Sequence, residues 1–141
     1  MSNFKEDLQK VRAFVFDVDG VFTDGKLYLF GQDEFVRAMN IKDGYAVRYA
    51  IDKGYPIGII SGGNSHAVHE RFRKLGVTDI YLNTHDKKDK LEEFYFQYDL
   101  DPSSILYMGD DIPDYQVMQH CGIPTCPSDA AEEIKSLSKY M

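Results

Sequence analysis

Ala13-Phe14-Val15-Phe16 is a continuous apolar run that stops at Asp17-Val18-Asp19-Gly20. Apolar runs without alternation are typical of strands that are covered on both faces, as in a parallel sheet. Similar short runs recur at residues 55–60, 80–82, 105–108 and 122–125, the last weakened by a proline. The first run therefore predicts the opening strand of a parallel sheet.

Helical patterns lie between these runs. Ala46, Val47, Ala50 and Ile51 share one helical face, and Gly54 is a suitable C-terminal stop. Further helical patterns occupy residues 65–76, 91–95, 113–118 and 134–137. Strands that alternate with helices imply right-handed crossovers. We therefore predict an α/β fold with a doubly wound, Rossmann-like parallel sheet, and one domain over residues 1–141.

One segment interrupts this alternation. Residues 26–30 and 35–39 have strand-like composition, and Gly31-Gln32-Asp33-Glu34 separates them as a turn. The pattern predicts a β-hairpin at about residues 26–39, inserted directly after the first strand. Ligands of open α/β sheets bind beyond the carboxyl ends of the strands. The hairpin is therefore expected beside the ligand site, as a cap or as an interface.

The amino-acid composition limits the kinds of partner that the protein is expected to bind. The chain has 23 acidic and 16 basic residues and a formal charge of −7, which argues against a nucleic-acid-binding protein. No apolar run reaches the roughly 18 residues of a membrane span, and residues 1–7 are too polar for an export signal. We therefore expect no nucleic-acid or membrane partner and a cytoplasmic location, with Cys121 and Cys126 as reduced thiols.

Polar clusters follow four of the predicted strands. They are Asp17-Val18-Asp19-Gly20, Ser61-Gly62, Lys87, and Gly109-Asp110-Asp111 with Asp114. A parallel sheet brings the carboxyl ends of its strands to one edge, so these clusters are expected to meet. Crowded carboxylates raise one another's pKa, and a hard divalent cation relieves that repulsion. Oxygen ligands with room for water and phosphate favour Mg²⁺.

The other residues of these clusters suit phosphate chemistry. Ser61 supplies a hydroxyl donor and Lys87 a positive charge for phosphate oxygens. One carboxylate that the metal does not fully occupy can attack phosphorus and form an aspartyl phosphate. Each cluster alone is as typical of a polar turn or a solvated loop. Their shared order and strand placement indicate a phosphate-handling site.

These motifs resemble those of the haloacid dehalogenase superfamily of phosphatases. The resemblance rests on residues 16–21 (FDVDGV), Ser61-Gly62, Lys87 and Gly109-Asp110-Asp111. Residues 17–25 (DVDGVFTDG), 40–45 (NIKDGY) and 109–114 (GDDIPD) are similar to the capless subfamily that includes the 3-deoxy-D-manno-octulosonate 8-phosphate phosphatases of lipopolysaccharide precursor synthesis. The resemblance implies a Mg²⁺-dependent phosphatase of sugar-acid phosphates that works through an aspartyl phosphate.

The resemblance also implies roles for the acidic residues. Asp17 is the expected nucleophile and a Mg²⁺ ligand. Asp19 is expected to bind the metal through its backbone carbonyl, to protonate the leaving sugar oxygen and then to activate water. Asp110 completes the metal site, with Asp111 and Asp114 in support.

Further residues are implied for the substrate. Ser61 and Lys87 are expected to hold the phosphoryl oxygens, with Lys90 as the alternative lysine, and the backbone amides of Val18 and Gly62 to assist. The relatives are typically homotetramers whose hairpins form a central barrel. Lys42, Asp43 and Gly44 are expected near that junction, and Lys42 is either a ligand of the substrate carboxylate or simply solvated.

The chain departs from the relatives at two places. Gly63-Asn64 stands where many relatives have an Arg or Glu that faces the sugar, and Arg71 is a candidate to compensate. Relatives also carry a glycine- and arginine-rich tail, so the chain is either naturally tailless or shortened. These departures leave two alternatives open, a phosphatase of a nine-carbon sialic-acid-type 9-phosphate and a non-catalytic assembly module.

Overall fold

A computed structural model describes residues 3–32 and 35–141 of the chain. Its strands in chain order are β1 (Ala13–Phe16), β2 (Tyr28–Leu29), β3 (Phe35–Val36), β4 (Ile57–Ile60), β5 (Asp79–Tyr81), β6 (Ile105–Met108) and β7 (Ile123–Thr125). Five of them form a parallel sheet in the order β5-β4-β1-β6-β7. The central β1 therefore has its carboxyl end between those of β4 and β6.

Helices cover both faces of this sheet. In chain order they are α1 (Phe4–Lys10), α2 (Ile41–Asp52), α3 (His66–Lys74), α4 (Lys87–Gln97), α5 (Tyr115–Met118) and α6 (Glu132–Leu137), with short 3₁₀ turns at Pro102–Ser104 and Ile112–Asp114. Val47 of α2 and Phe72 of α3 pack in one core with Ile59 of β4. Leu91 of α4 packs in a second core with the next strand residue, Ile60. Neighbouring residues of β4 thus serve opposite faces, as a strand covered on both sides requires.

The predicted fold class is confirmed. β1 and β6 coincide with their apolar runs, and the other core strands differ from theirs by one or two residues at an end. Ser65 is the N-cap of α3, because its side chain accepts a hydrogen bond from the Val68 amide. Gly54 follows α2 with a φ of +91°, a conformation that only glycine adopts at low cost.

The hairpin and the N-terminus differ from the expectation in extent. β2 and β3 pair antiparallel over two residues each, which is shorter than the predicted arms. The predicted turn residues Asp33 and Glu34 lie outside the described residues. α1 was not predicted, because the capping box between Asn3 and Glu6 that starts it is a weak signal in a polar segment. No helix among the described residues is long and apolar enough to cross a membrane.

Candidate active site

The four polar clusters meet at the carboxyl edge of the sheet, around a cavity of about 380 Å³. Asp17 and Asp19 come from the end of β1, Ser61 and Gly62 from the end of β4, and Asp110 from the end of β6. The remaining lining residues are Gly25, Thr84, His85, Lys87, Asp111 and Pro113. The sheet topology therefore gathers the predicted chemistry in one place.

Asp17 is anchored at the end of β1. Its backbone N–H donates to the carbonyl of Met108 on β6 at 3.1 Å. The Val18 N–H donates to Asp17 Oδ1 at 2.7 Å, so this amide, expected to assist with phosphate, is engaged by the carboxylate itself. Asp17 Oδ2 lies 3.2 Å from Lys87 Nζ. Both carboxylate oxygens are thus oriented, although the residue keeps 8% of its surface exposed.

Gly20 allows Asp110 to approach Asp17. Its φ of +84° bends the chain directly after the Asp17–Asp19 segment. A Cβ at this position would collide with the carboxylate of Asp110. The glycine of the sequence motif therefore serves both the turn and the close approach of a carboxylate from β6.

Lys87 is a buried cation between two carboxylates. Its ammonium lies 2.8 Å from Asp114 Oδ1, in addition to its contact with Asp17. Tyr107 O–H donates to the same Asp114 oxygen at 2.8 Å. The alternative lysine, Lys90, lies on the exposed side of α4 and pairs with Glu93 at 3.1 Å. The structure thus brings Lys87 to the site and leaves Lys90 outside it.

Three carboxylates of the described chain, Asp17, Asp110 and Asp114, offer oxygens that lie within 4.8 Å of one another. Asp114 has little capacity left to bind a metal ion, because its oxygens already accept hydrogen bonds. Oδ1 accepts from Lys87 and Tyr107, and Oδ2 accepts from the Asp110 N–H at 3.2 Å. Asp17 and Asp110 border the cavity directly. A purely oxygen donor set of this kind fits a hard divalent cation.

Burial and mutual charge shift the pKa values of the residues in this cluster. Burial raises the pKa of Asp17 to about 8, and the nearby charge of Asp114 adds to the rise. Burial, followed by the charges of Asp114 and Asp111, raises the pKa of Asp110 to about 6. Burial alone would lower the pKa of Lys87, but the charges of Asp114 and Asp17 outweigh it and raise the pKa overall. The cluster therefore has an excess of negative charge that a cation would balance.

Asp19 is held away from this cluster by a residue of the hairpin. Arg37 Nε donates to Asp19 Oδ1 at 2.6 Å, and Nη2 donates to Oδ2 at 3.1 Å. The Asp19 side chain still keeps 36% of its surface exposed at the cavity. Asp19 therefore lies at the mouth of the site with both carboxylate oxygens engaged by Arg37.

Ser61 and Gly62 line the cavity at the end of β4. Ser61 is nearly buried, and its Oγ accepts from the Gly63 N–H at 3.1 Å. Its backbone is fixed in the sheet, because its N–H donates to the Tyr81 carbonyl at 2.9 Å. The hydroxyl proton of Ser61 remains available for an oxygen in the cavity.

The structure places the other expected substrate residues outside this cavity. Lys42 is exposed in the first turn of α2, where its N–H donates to the Asn40 side chain at 2.8 Å. Asp43 borders an apolar cavity on the sheet face near Phe14. Gly44 is buried against the guanidinium of Arg71, which would have to move to admit a Cβ. Arg71 borders a second cavity, of about 860 Å³, between the hairpin and α3.

Sequence reasoning missed Arg37, Tyr107, Thr84 and His85. Thr84 and His85 precede Lys87 in the loop after β5, and their position beside a predicted phosphate lysine was a usable signal. In the sequence, Tyr107 is indistinguishable from the other residues of its apolar strand. Arg37 lies in a hairpin whose direction relative to the sheet edge the sequence does not give.

Comparison with known proteins agrees with this site. A family described as haloacid dehalogenase-like hydrolase matches residues 74–141. The chain is also similar to the crystal structure of the 3-deoxy-D-manno-octulosonate 8-phosphate phosphatase from Yersinia pestis, with 30% identity and a TM-score of 0.91, over 95% of this chain and 72% of that one. The chain belongs to the haloacid dehalogenase-like hydrolases, among relatives of this phosphatase type.

Two further relatives extend the comparison. A curated 3-deoxy-D-manno-octulosonate 8-phosphate phosphatase from Yersinia pestis is 33% identical over 85% of this chain, which spans 64% of that relative's length. The phosphatase from Moraxella catarrhalis has a crystal structure in complex with magnesium ion, phosphate ion and a KDO molecule. That structure and this chain share 26% sequence identity and a TM-score of 0.90, over 98% of this chain and 81% of that one.

Proposed function

We propose that the chain is a Mg²⁺-dependent phosphomonoesterase that hydrolyses 3-deoxy-D-manno-octulosonate 8-phosphate, a step of lipopolysaccharide precursor synthesis. The observation that carries the proposal is the placement of Asp17, Ser61, Lys87 and Asp110 around one cavity at the sheet edge. The similarity to phosphatases of this substrate supports the choice of sugar. Residues 1–141 act as one catalytic domain in this proposal.

The reaction uses two carboxylates in sequence. Asp17 Oδ2 attacks phosphorus and forms an aspartyl phosphate, while the sugar oxygen leaves with a proton from Asp19. Asp19 then removes a proton from water, which attacks the same phosphorus and releases inorganic phosphate and free Asp17. Ser61 O–H and the Lys87 ammonium stabilise the phosphoryl oxygens as negative charge collects on them. Asp114 and Tyr107 keep Lys87 in position.

The carboxylate cluster fits a resident cation. Asp17 and Asp110 would hold Mg²⁺ together with the backbone carbonyl of Asp19. The bound ion supplies positive charge that balances the phosphoryl group and favours the ionised form of Asp17. Asp17 and Asp110 both have raised pKa values without it, which is the situation that a divalent cation relieves.

A substrate panel tests this function. Wild-type protein and the Asp17→Asn variant are assayed for phosphate release, with Mg²⁺ or with EDTA. The panel contains 3-deoxy-D-manno-octulosonate 8-phosphate, a sialic-acid-type 9-phosphate and a neutral hexose 6-phosphate. We expect the highest kcat/KM for the eight-carbon substrate and a loss of kcat of about 10⁴-fold or more in the variant.

The other results of the panel separate the alternatives. A higher kcat/KM for the nine-carbon phosphate would assign the chain to that substrate. Appreciable turnover by Asp17→Asn would contradict the nucleophile. Folded wild-type protein that releases no phosphate from any ester with Mg²⁺ present would favour a non-catalytic assembly role.

We also propose a homotetramer that assembles through the hairpin. Leu29 and Phe30 at its tip expose 72% and 62% of their surfaces, and Phe35 and Val36 across from them are exposed too. A contiguous apolar patch of this kind is typical of an interface. We further propose a cytoplasmic location, which the free thiols of Cys121 and Cys126 support.

A further inference from the structure

Arg37 is the contact between the hairpin and the proton-transfer residue. Its guanidinium donates to both oxygens of Asp19, and the Arg37 side chain is only 8% exposed. A paired arginine fork of this kind recognises one carboxylate at a time. Asp19 therefore occupies the face of Arg37 that a carboxylate of another molecule would need.

The absence of a side chain at Gly63 leaves space for the Arg37 guanidinium. A Cβ at Gly63 would lie 3.0 Å from Arg37 Nη2 and 3.5 Å from Ser61 Oγ. The guanidinium therefore lies close to Gly63, two residues after Ser61. A side chain at residue 63 would require Arg37 to shift by a few tenths of an ångström.

Arg37 also borders the second cavity. This cavity, of about 860 Å³, is bordered by the hairpin and by the start of α3. Arg37, His66 and Arg71 contribute basic groups to it, and none of the described residues that border it is acidic. A volume of this size accommodates a sugar, and its charge favours an anionic one.

We propose that Arg37 selects substrates that carry a carboxylate as well as the phosphate. The substrate carboxylate enters the second cavity and replaces Asp19 on the Arg37 guanidinium, with Arg71 as a further positive charge. Asp19 is thereby released toward the leaving oxygen in the adjoining pocket. A phosphate ester without a carboxylate leaves Asp19 on Arg37. The inference rests on the proposed phosphatase function and names the feature of the substrate that the site recognises.

The test compares two substrates in matched variants. Arg37→Gln, Arg37→Lys and the control Arg48→Gln are assayed on 3-deoxy-D-manno-octulosonate 8-phosphate and on a neutral hexose 6-phosphate. Arg48 is an exposed arginine of α2 that pairs with Asp52 at 3.3 Å. We expect Arg37→Gln to lower the acid-to-neutral ratio of kcat/KM at least about tenfold, with Arg37→Lys between it and wild type and Arg48→Gln unchanged.

A binding measurement makes the test independent of turnover. Calorimetry with the free sugar acid, 3-deoxy-D-manno-octulosonate, is expected to give at least about tenfold weaker binding to Arg37→Gln than to wild type. Equal loss on both substrates would overturn the proposal and leave Arg37 as a positioning residue for Asp19. A wild type without preference for the acid would overturn the selection alone. If neither ester is hydrolysed, the proposed function fails, and unchanged calorimetric affinity in Arg37→Gln would overturn the inference separately.

Discussion

The ammonium of Lys87 lies 2.8 Å from Asp114 Oδ1 and 3.2 Å from Asp17 Oδ2, so one lysine bridges carboxylates that follow two different strands. Asp114 is fully buried, and Lys87 is 6% exposed. A charge pair with so little access to water is stable only while both partners are present. The contact therefore ties the start of α4 to the loop after β6 and fixes the shape of the catalytic cavity.

Asp114→Asn is expected to destabilise the fold. The variant keeps the shape of the side chain but leaves Lys87 with Asp17 as its remaining counter-charge. We expect the free energy of unfolding to fall by about 3 kcal/mol, measured by urea denaturation. We also expect lower kcat, because Lys87 is then free to leave the phosphoryl oxygens.

Lys90→Met provides the matched control for this prediction. Lys90 pairs with Glu93 on an exposed face of the same helix, and such pairs contribute about 0.5 kcal/mol or less. Stability and turnover are therefore expected to stay close to wild type. An Asp114→Asn protein as stable as Lys90→Met would contradict the assignment of the buried pair.

The pH dependence of stability follows from Asp17. Burial and the charge of Asp114 raise its pKa from 3.8 to about 8. A carboxyl whose pKa is higher in the folded state stabilises the fold fully below its unfolded pKa, and this contribution is lost as the pH rises toward the folded value. In EDTA, we expect the free energy of unfolding to decrease between about pH 4 and pH 8.

Two comparisons check this dependence. Asp17→Asn removes the titrating group, so the decrease should shrink and be largely confined to the range up to about pH 6, where Asp110 titrates. Mg²⁺ should reduce the decrease in the wild type, because the ion stabilises the ionised carboxylates. An unchanged pH profile in Asp17→Asn would show that another group causes it.

The proposed hairpin interface is tested by replacing an exposed apolar residue with a charged one. Leu29→Glu places a charge at the most exposed apolar position of β2, where burial in an interface would be costly. We expect sedimentation analysis to give a tetramer for wild type and mostly monomer for the variant at micromolar concentration. Phe96→Glu, a change at an equally exposed apolar position on α4, is the control and should leave the assembly intact. A monomeric wild type would contradict the proposed tetramer.

The agreement of β1 and β6 with their apolar runs has a physical basis. The strands β1 and β6 were predicted to the residue because each is a short apolar run that ends at an acidic motif. Once the sheet is parallel, the topology alone brings Asp17, Ser61, Lys87 and Asp110 to one edge. Local pattern and chain connectivity therefore determine both the fold and the grouping of these four side chains.

The parts that were missed depend on geometry between distant segments. Arg37 reaches Asp19 only because of the angle at which the hairpin leaves the sheet, and no periodicity encodes that angle. Lys42 lies in the exposed first turn of α2 and Asp43 beside the apolar cavity on the sheet face, so their expected position near a subunit junction and the substrate stays a prediction. Asp114 contacts Lys87 although the two residues are 27 positions apart in the sequence.

Tyr140 and Asp7 connect the C-terminal segment to α1. Tyr140 O–H donates to Asp7 Oδ2 at 2.6 Å, and Asp7 is 2% exposed. This bond raises the pKa of Tyr140 to about 12 and links α1 to the segment that pairs with β7. Asp7 also lies 3.6 Å from Lys10 Nζ and 3.5 Å from Lys139 Nζ, so Tyr140→Phe removes one of several partners of this carboxylate. We expect the free energy of unfolding to fall by more than a substitution at an exposed position changes it.

Tyr45→Phe is the matched control, because Tyr45 is 72% exposed on α2. Its stability should change by about 0.5 kcal/mol or less. Hydrogen exchange adds a local readout, since weaker docking of α1 should speed the exchange of its amides while β1 and β6 stay protected. If the amides of α1 exchange at the wild-type rate in Tyr140→Phe, then α1 is held by its other contacts, such as the ring contact between Phe4 and Tyr140 at 5.0 Å.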